Sequence, residues 1–299
     1  IVHIVFSSIT TFLYTFNSIN GCVISFRTKL LYINNHKEER KMLNIKYRHS
    51  ASKGNTFIDC PPYWIIHELY DYESEPNARM KMGLAAEETA YRSIKNKLKD
   101  EAIIQLGKDK YIKEFEGSED DPECEWSGMI AKNFVEHLRE FGKLVSFQNE
   151  KQIPGKEYGL KYDIIGKTDF EFENVIVDTK ATAYIRRLKA GRVDPKWYPK
   201  EADLRQQFLY RELFSKETML LYCSYKDTYA ADLGDRVGYL EQMIQAFKNI
   251  EHVLTIAKSK EDIVRMYPLT FDNFRWKGSP EAKSFAYKVW NDAFKKGMN

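Results

Sequence analysis

The feature that most constrains this chain is a strand that carries charge. In "TDFEFENVIVDTKAT", residues 168–182, Val175, Ile176 and Val177 are an apolar run of the kind that builds a buried strand. Asp178 and Lys180 follow it directly, and Asp169 precedes it. Strand interiors seldom hold Asp or Lys, because a buried charge must be paired or bound to something. The stretch reads as a hairpin with its turn at residues 171–174. With Phe170 opposite Val175, Asp169 lies opposite Ile176, and Asp169, Ile176, Asp178 and Lys180 share one face. Val175 and Val177 then point into the core. Diagonal neighbours across such a hairpin lie about 7–8 Å apart, so the two carboxylates can share one hard cation. Lys180 can polarise a bound water or stabilise charge on a phosphate. The competing account is an exposed hairpin whose Asp and Lys pair with each other, since D-x-K is common by chance.

The chain has 299 residues, 43% hydrophobic and 30% charged, which suits a sizeable core in one large or two small domains. Its 46 Lys and Arg against 43 Asp and Glu leave +3, too little to imply a nucleic-acid partner by itself. Cys22, Cys60, Cys124 and Cys223 lie far apart with no C-x-x-C spacing and read as reduced thiols of an intracellular protein. Residues 1–26 contain no Asp, Glu, Lys or Arg, which raises a membrane anchor, but Ser and Asn interrupt the run. Residues 1–41 look foreign to the rest. The first Met is Met42, preceded by "KEERK", and the expectation is a read-through extension ahead of one domain spanning residues 42–299.

From Met42 the pattern predicts a turn-like opening at "SASKGN", an aromatic-rich helix, and a long helix from about residue 78 ending at Gly107. An acidic loop, "EFEGSEDDPECE", follows, then a helix with Met129, Phe134, Leu138 and Phe141 on one face. "LVSFQNEKQI", "LKYDIIGKTDF" and "NVIVDTKAT" read as three strands, "EADLRQQFLYRELFSK" as a helix and "ETMLLYCSY" as a strand. The rest reads as helical, apart from a break at "YPLTFDNFRWKGSP". The class is α/β, with a mixed central sheet flanked by helices.

At this level of detail the chain, from about residue 50 onward, resembles the PD-(D/E)XK nuclease superfamily, in its RecB-like and CRISPR-associated exonuclease branch. "SASKGNTFIDCPPYW" is similar to the branch's opening. "MGLAAEE" is similar to its helix with a further ligand, which implies that role for Glu87. "GKTDF" implies Asp169, and "VIVDTK" implies Asp178 and Lys180. "RQQFLY" resembles its Gln-x-x-x-Tyr, which implies Gln206 and Tyr210. The resemblance implies a restriction-endonuclease-like core and a Mg²⁺- or Mn²⁺-dependent deoxyribonuclease. Glu87, Asp169, Asp178 and the Thr179 carbonyl would be metal ligands, and Lys180, Gln206 and Tyr210 would assist. Two departures stand out. Only Cys60 and Cys223 occupy positions comparable with the four cysteines that hold an iron–sulfur cluster in many branch members, so no cluster is expected. A carboxylate, Glu87, also stands where His is frequent, which weakens any argument for Mn²⁺ over Mg²⁺.

Several residues compete for these roles. Asp163 has the same strand parity as Asp169, and Glu88 adjoins Glu87 but is rotated about 100° round the helix. Arg186, Arg187, Lys189 and Arg192, with Tyr184 and Trp197 among them, suit phosphate contact and base stacking, or form an ordinary solvated loop. His67 and His137 sit among apolar residues and read as core or boundary positions. No Gly-rich phosphate loop is present. The resulting expectation is an exonuclease of repair, recombination or phage DNA metabolism, in the cytoplasm of a bacterium or phage-infected cell. It would act on DNA, with recombination or replication proteins as possible partners and no membrane. The alternative is a catalytically inactive DNA-binding module of the same fold.

Overall fold

A computed structural model describes residues 43, 45–196, 198–231, 233–234 and 236–296. The expectations for residues 1–41 and for Trp197 lie outside the described residues.

"SASKGN" is no turn. A short strand, β1 (His49–Ser50), runs straight into α1 (Ala51–Asp59), because the Ser50 hydroxyl accepts from the Lys53 N–H at 3.4 Å and caps the helix. Helix α2 (Pro61–Leu69) starts on prolines, which need no N–H in a first turn. It buries Trp64, Ile65, Ile66 and Leu69 in a cluster that also holds Ile250, Trp276 and Trp290.

The expected long helix is two helices, α3 (Ala78–Asn96) and α4 (Asp100–Lys113). Lys97 takes a left-handed conformation, φ 53°, and the N–H groups of Lys97 and Leu98 close on the Ile94 and Ser93 carbonyls. Neither Gly nor Pro marks that break. Gly107 is a contact residue within α4 and not a stop. A Cβ there would lie 2.5 Å from the Gly128 Cα, so the two glycines let α4 and α5 (Pro122–Leu138) touch backbone to backbone. Helix α5 also begins earlier than expected. Pro122 and the acidic residues Glu123 and Glu125 form its first turn, where the helix dipole favours negative charge. Phe134 and Leu138 are buried on it as expected.

Two of the three expected strands break, and they break side by side. "LVSFQNEKQI" becomes β2 (Leu144–Phe147) and β3 (Glu150–Ile153), while "LKYDIIGKTDF" becomes β4 (Ile164–Lys167) and β5 (Phe170–Phe172). The Gln148 N–H donates to the Asp169 carbonyl at 2.9 Å, and the Thr168 N–H to the Asn149 carbonyl at 2.9 Å. The ribbon therefore divides between two mixed sheets at this level. One has the order β1-β4-β3; the other is β2-β5-β6-β7-β8, with β6 (Val175–Ala181), β7 (Glu217–Cys223) and β8 (Thr228–Ala231). β6 and β7 are parallel and joined through α6 (Glu201–Phe214). β8, antiparallel to β7, lies where the sequence reads as helical. Helices α7 (Tyr239–Ile256), α8 (Lys260–Met266) and α9 (Pro280–Lys296) complete the fold. It is mixed α/β with helices around the sheets. Among the described residues no helix is long and apolar enough to cross a membrane.

The hairpin register differs from the expected one. Phe170 pairs with Val177 and Glu171 with Ile176. A slip of two residues preserves side-chain parity. Continuing the register brings Asp169 opposite Asp178 instead of Ile176. Ile176 and Val177 are both fully buried, so β6 is covered on both faces, as a central strand must be.

Candidate active site

Asp178 ends the apolar part of β6 and is fully buried. Its Oδ1 accepts from Gln206 Nε2 at 2.8 Å. Its Oδ2 accepts from the Lys180 ammonium, with which it forms an ion pair. Burial pushes its pKa up to about 8; Lys180 pulls the other way and Asp169 adds to the rise. Asp169 lies just before β5. Its Oδ2 accepts from the Thr179 N–H at 2.8 Å and from the Thr179 hydroxyl at 3.3 Å, and its carboxyl is within hydrogen-bonding reach of Asp178. Its pKa is also raised, by burial first and then by Glu87. Two carboxylates this close cannot both ionise freely without a cation or a shared proton.

Glu87 approaches from α3. Gln148, at the β2–β3 break, donates to its Oε1 at 3.2 Å, while burial and Asp178 raise its pKa. The Lys180 side chain is 27% exposed. Burial alone would lower its pKa, but Asp178, Asp169 and Asp203 raise it, so the ammonium stays charged. Tyr210, one turn beyond Gln206 on α6, is buried beside the same charges, and burial raises its pKa. Gly166 makes room for that helix. A Cβ there would lie 2.8 Å from Leu213 Cδ1 and 3.4 Å from Tyr210 Cε1.

Four elements thus bring together Glu87, Asp169, Asp178, Lys180, Gln206 and Tyr210. Thr179, expected to offer its carbonyl, is seen holding Asp169 through its N–H and hydroxyl. The rival carboxylates serve other purposes. Asp163 accepts from Gln152 Nε2 at 2.7 Å and from the Gly155 N–H at 3.3 Å. Glu88 pairs with Arg92 at 2.9 Å. Two residues escaped sequence reasoning. Gln148 had no local signal. Asp203, which accepts from the Tyr222 hydroxyl at 2.6 Å, was legible as i, i+3, i+7 with Gln206 and Tyr210 on one helix.

The basic loop divides. Arg187 grips Asp227 with two nitrogens and the Gly191 carbonyl at 2.8 Å, so it builds the loop. Arg186 lies 3.5 Å from Asp194. Lys189 and Arg192 are exposed near its tip, and Tyr184 is 66% exposed. No hydrogen bond or ion pair given by the structure ties Lys189 or Arg192 to the carboxylates. His67 packs against Tyr63 and Tyr72, and His137 meets the Thr228 hydroxyl at 2.7 Å. Cys60, Cys124 and Cys223 are buried free thiols, with Cys60 in a different hydrophobic cluster from the other two.

The donors at the centre are all oxygens, the kind that Mg²⁺ and Mn²⁺ take. The adjoining Asp169 and Asp178 carboxylates, both pushed toward the protonated form by burial, fit a divalent cation, which would hold them ionised. Among the described residues the carboxylates do not already close into a cage of three ligands.

No protein-family model matches the chain, and no curated protein matches it. Among solved structures it is similar to one described as "Crystal structure of SSO0001", at 12% identity over 63% of this chain and 98% of the other. The TM-score is 0.28, and a likeness of that size carries no argument.

Proposed function

We propose that this chain is a metal-dependent deoxyribonuclease of the PD-(D/E)XK superfamily, with a restriction-endonuclease-like core, acting as an exonuclease in DNA repair, recombination or phage DNA metabolism. The observation that carries the reading is the burial of Asp169 and Asp178 within hydrogen-bonding reach of each other, with Glu87 and the Lys180 ammonium close enough to shift their ionisation. A fold does not gather charges this way for stability, since burying them is costly.

Glu87, Asp169 and Asp178 would hold Mg²⁺ or Mn²⁺. The ion, when bound, supplies Lewis acidity and a more acidic water. Gln206 fixes one Asp178 oxygen, and Gln148 fixes Glu87. Thr179 orients Asp169. Lys180 keeps a positive charge in a partly desolvated site, where it stabilises negative charge developing on a phosphate. DNA is the partner this chemistry suits, and the interior of a bacterial or phage-infected cell is the proposed compartment.

The test is a cleavage assay on linear and circular DNA, single- and double-stranded, with Mg²⁺, Mn²⁺ or chelator. Degradation of linear DNA only in the presence of the cation is expected. Activity in chelator, or none on any DNA form, overturns the reading.

A further inference from the structure

Asp203, Gln206 and Tyr210 present one face of α6 to the carboxylates, and the start of the same helix opens on a separate cavity of about 670 Å³. That volume lies in the range that small ligands occupy. Lys196, Lys200 and Arg236 line it, together with Tyr239, Phe274 and Leu204. All three cations are exposed, and among the described residues no carboxylate pairs with any of them. The acid in the lining, Glu201, is 77% exposed and lies 3.7 Å from Arg205 instead.

The rings complement the charges. Phe274 is 60% exposed, and Tyr239 stacks on Phe208 at 5.8 Å. Helices α6 and α7 both begin at this cavity, at Lys200 and Gly238, and neither has a side-chain cap. Their free N–H groups add to the positive potential of the lysines and arginine. Cations and flat rings around a half-open hollow together match a phosphorylated base. Lys200 precedes Gln206 by six residues, about 9 Å along the helix axis, and the Lys200–Leu204–Phe208 side that borders the cavity is turned away from the Asp203–Gln206–Tyr210 side. A strand that reaches both the carboxylates and the cavity would therefore pass round the start of α6.

We propose that this cavity binds one nucleotide of a single-stranded DNA, its phosphates against Lys196, Lys200 and Arg236 and its base against Tyr239 and Phe274. The proposal rests on the nuclease reading for the choice of DNA. It is distinct from the loop of Arg186, Arg187, Lys189 and Arg192, with Tyr184 and Trp197, which the sequence offers for DNA contact or as an ordinary solvated loop.

The experiment measures fluorescence anisotropy of a labelled short oligothymidylate with the full chain in chelator, so that no cleavage occurs. The triple variant Lys196→Gln, Lys200→Gln, Arg236→Gln is expected to bind about tenfold or more weakly. Its log–log salt slope should fall by about 2, since each phosphate contact on a single strand contributes about 0.7. Phe274→Ala should weaken binding by about fivefold to a hundredfold, the range for loss of one stacked base. A triple control on other faces, Lys248→Gln, Lys288→Gln, Lys295→Gln, should bind within about twofold of the parent if the charge effect is local. Thymidine 5′-monophosphate should compete with the oligonucleotide on the parent chain. Parental affinity in the cavity variants overturns the proposal, as does an equal loss in the control. Tighter binding of the matching single-stranded RNA overturns the choice of DNA. If cavity-dependent binding occurs and no cation supports cleavage, the nuclease reading fails alone. If the cavity variants bind and cleave like the parent, the cavity proposal fails alone.

Discussion

Asp178 has two oxygens with different surroundings. Oδ1 accepts from Gln206, while Oδ2 pairs with the Lys180 ammonium. Lys180 cannot ligate a metal while protonated, and its charge repels a cation. Replacing it with Met keeps the aliphatic stem and removes that repulsion. Lys180→Met should therefore bind Mn²⁺ as well as the parent or better, while DNA cleavage falls by about 10²–10³-fold. Asp169→Asn should lose cleavage by the other route, with Mn²⁺ affinity down about tenfold or more. Calorimetric titration with Mn²⁺ separates two variants that look alike in a nuclease assay. Parental cleavage by Lys180→Met would return the hairpin to an ordinary salt-bridged one.

At the scale of elements, two helix features make opposite predictions. Gly107 sits where α4 and α5 touch, 2.5 Å from the Gly128 Cα for any added Cβ. Backbone cannot yield as a flexible side chain can. Gly107→Ala should destabilise by about 1–3 kcal/mol, despite alanine's better helix propensity. Lys97, between α3 and α4, pays the left-handed penalty without being glycine. Lys97→Gly should stabilise by about 0.5–1 kcal/mol, provided its exposed side chain makes no other contribution. Chemical denaturation of the two variants at one pH gives both signs. A destabilised Lys97→Gly would mean that the lysine side chain, and not the backbone, sets the break.

Across the whole molecule, residues far apart in sequence close one core. Tyr47, Phe57 and Trp64 pack with Leu254, Trp276 and Trp290. His49 on β1 is fully buried, stacks on Phe247 at 4.4 Å and meets Glu251 Oε1 at 2.9 Å. Glu251 also accepts from the Lys161 and Tyr162 N–H groups, tying α7 to the loop before β4. Burial lowers the His49 pKa, opposed by Glu251 and assisted by Lys53. The unfolded chain then takes up a proton near pH 6.5, where the folded chain does not. This contribution to stability is complete above that pH and is lost as pH falls below it, by up to about 1.4 kcal/mol per unit. Denaturant titrations from neutral to mildly acid pH should show the loss, and His49→Gln should flatten it. An unchanged slope in His49→Gln would assign the acid sensitivity to other groups.

The chain by itself determined which charged residues stand out from their surroundings, and much of the local structure. "VIVDTK" is a strand with misplaced charge, "EADLRQQFLY" is a helix with one polar face, and "ETMLLYC" is a second strand. Each is legible because periodicity and unusual charge are local properties. Tertiary structure decided how these pieces meet. The hairpin slipped by two residues because a two-residue turn at Glu173–Asn174 and burial of both faces of β6 outweighed the longer loop. The strand breaks at Gln148 and Thr168 exist because two sheets share one ribbon, which neither segment encodes alone. The contact at Gly107 depends on how α4 packs against α5, and beside the break at Lys97 the distant Arg139 donates to the Leu98 carbonyl at 2.8 Å. Parity along a strand is identical for Asp169 and Asp163; the Gly166 spacing and the strand end favour Asp169 in the sequence, and the fold places Asp169 beside Asp178 and Asp163 beside Gln152 and Gly155.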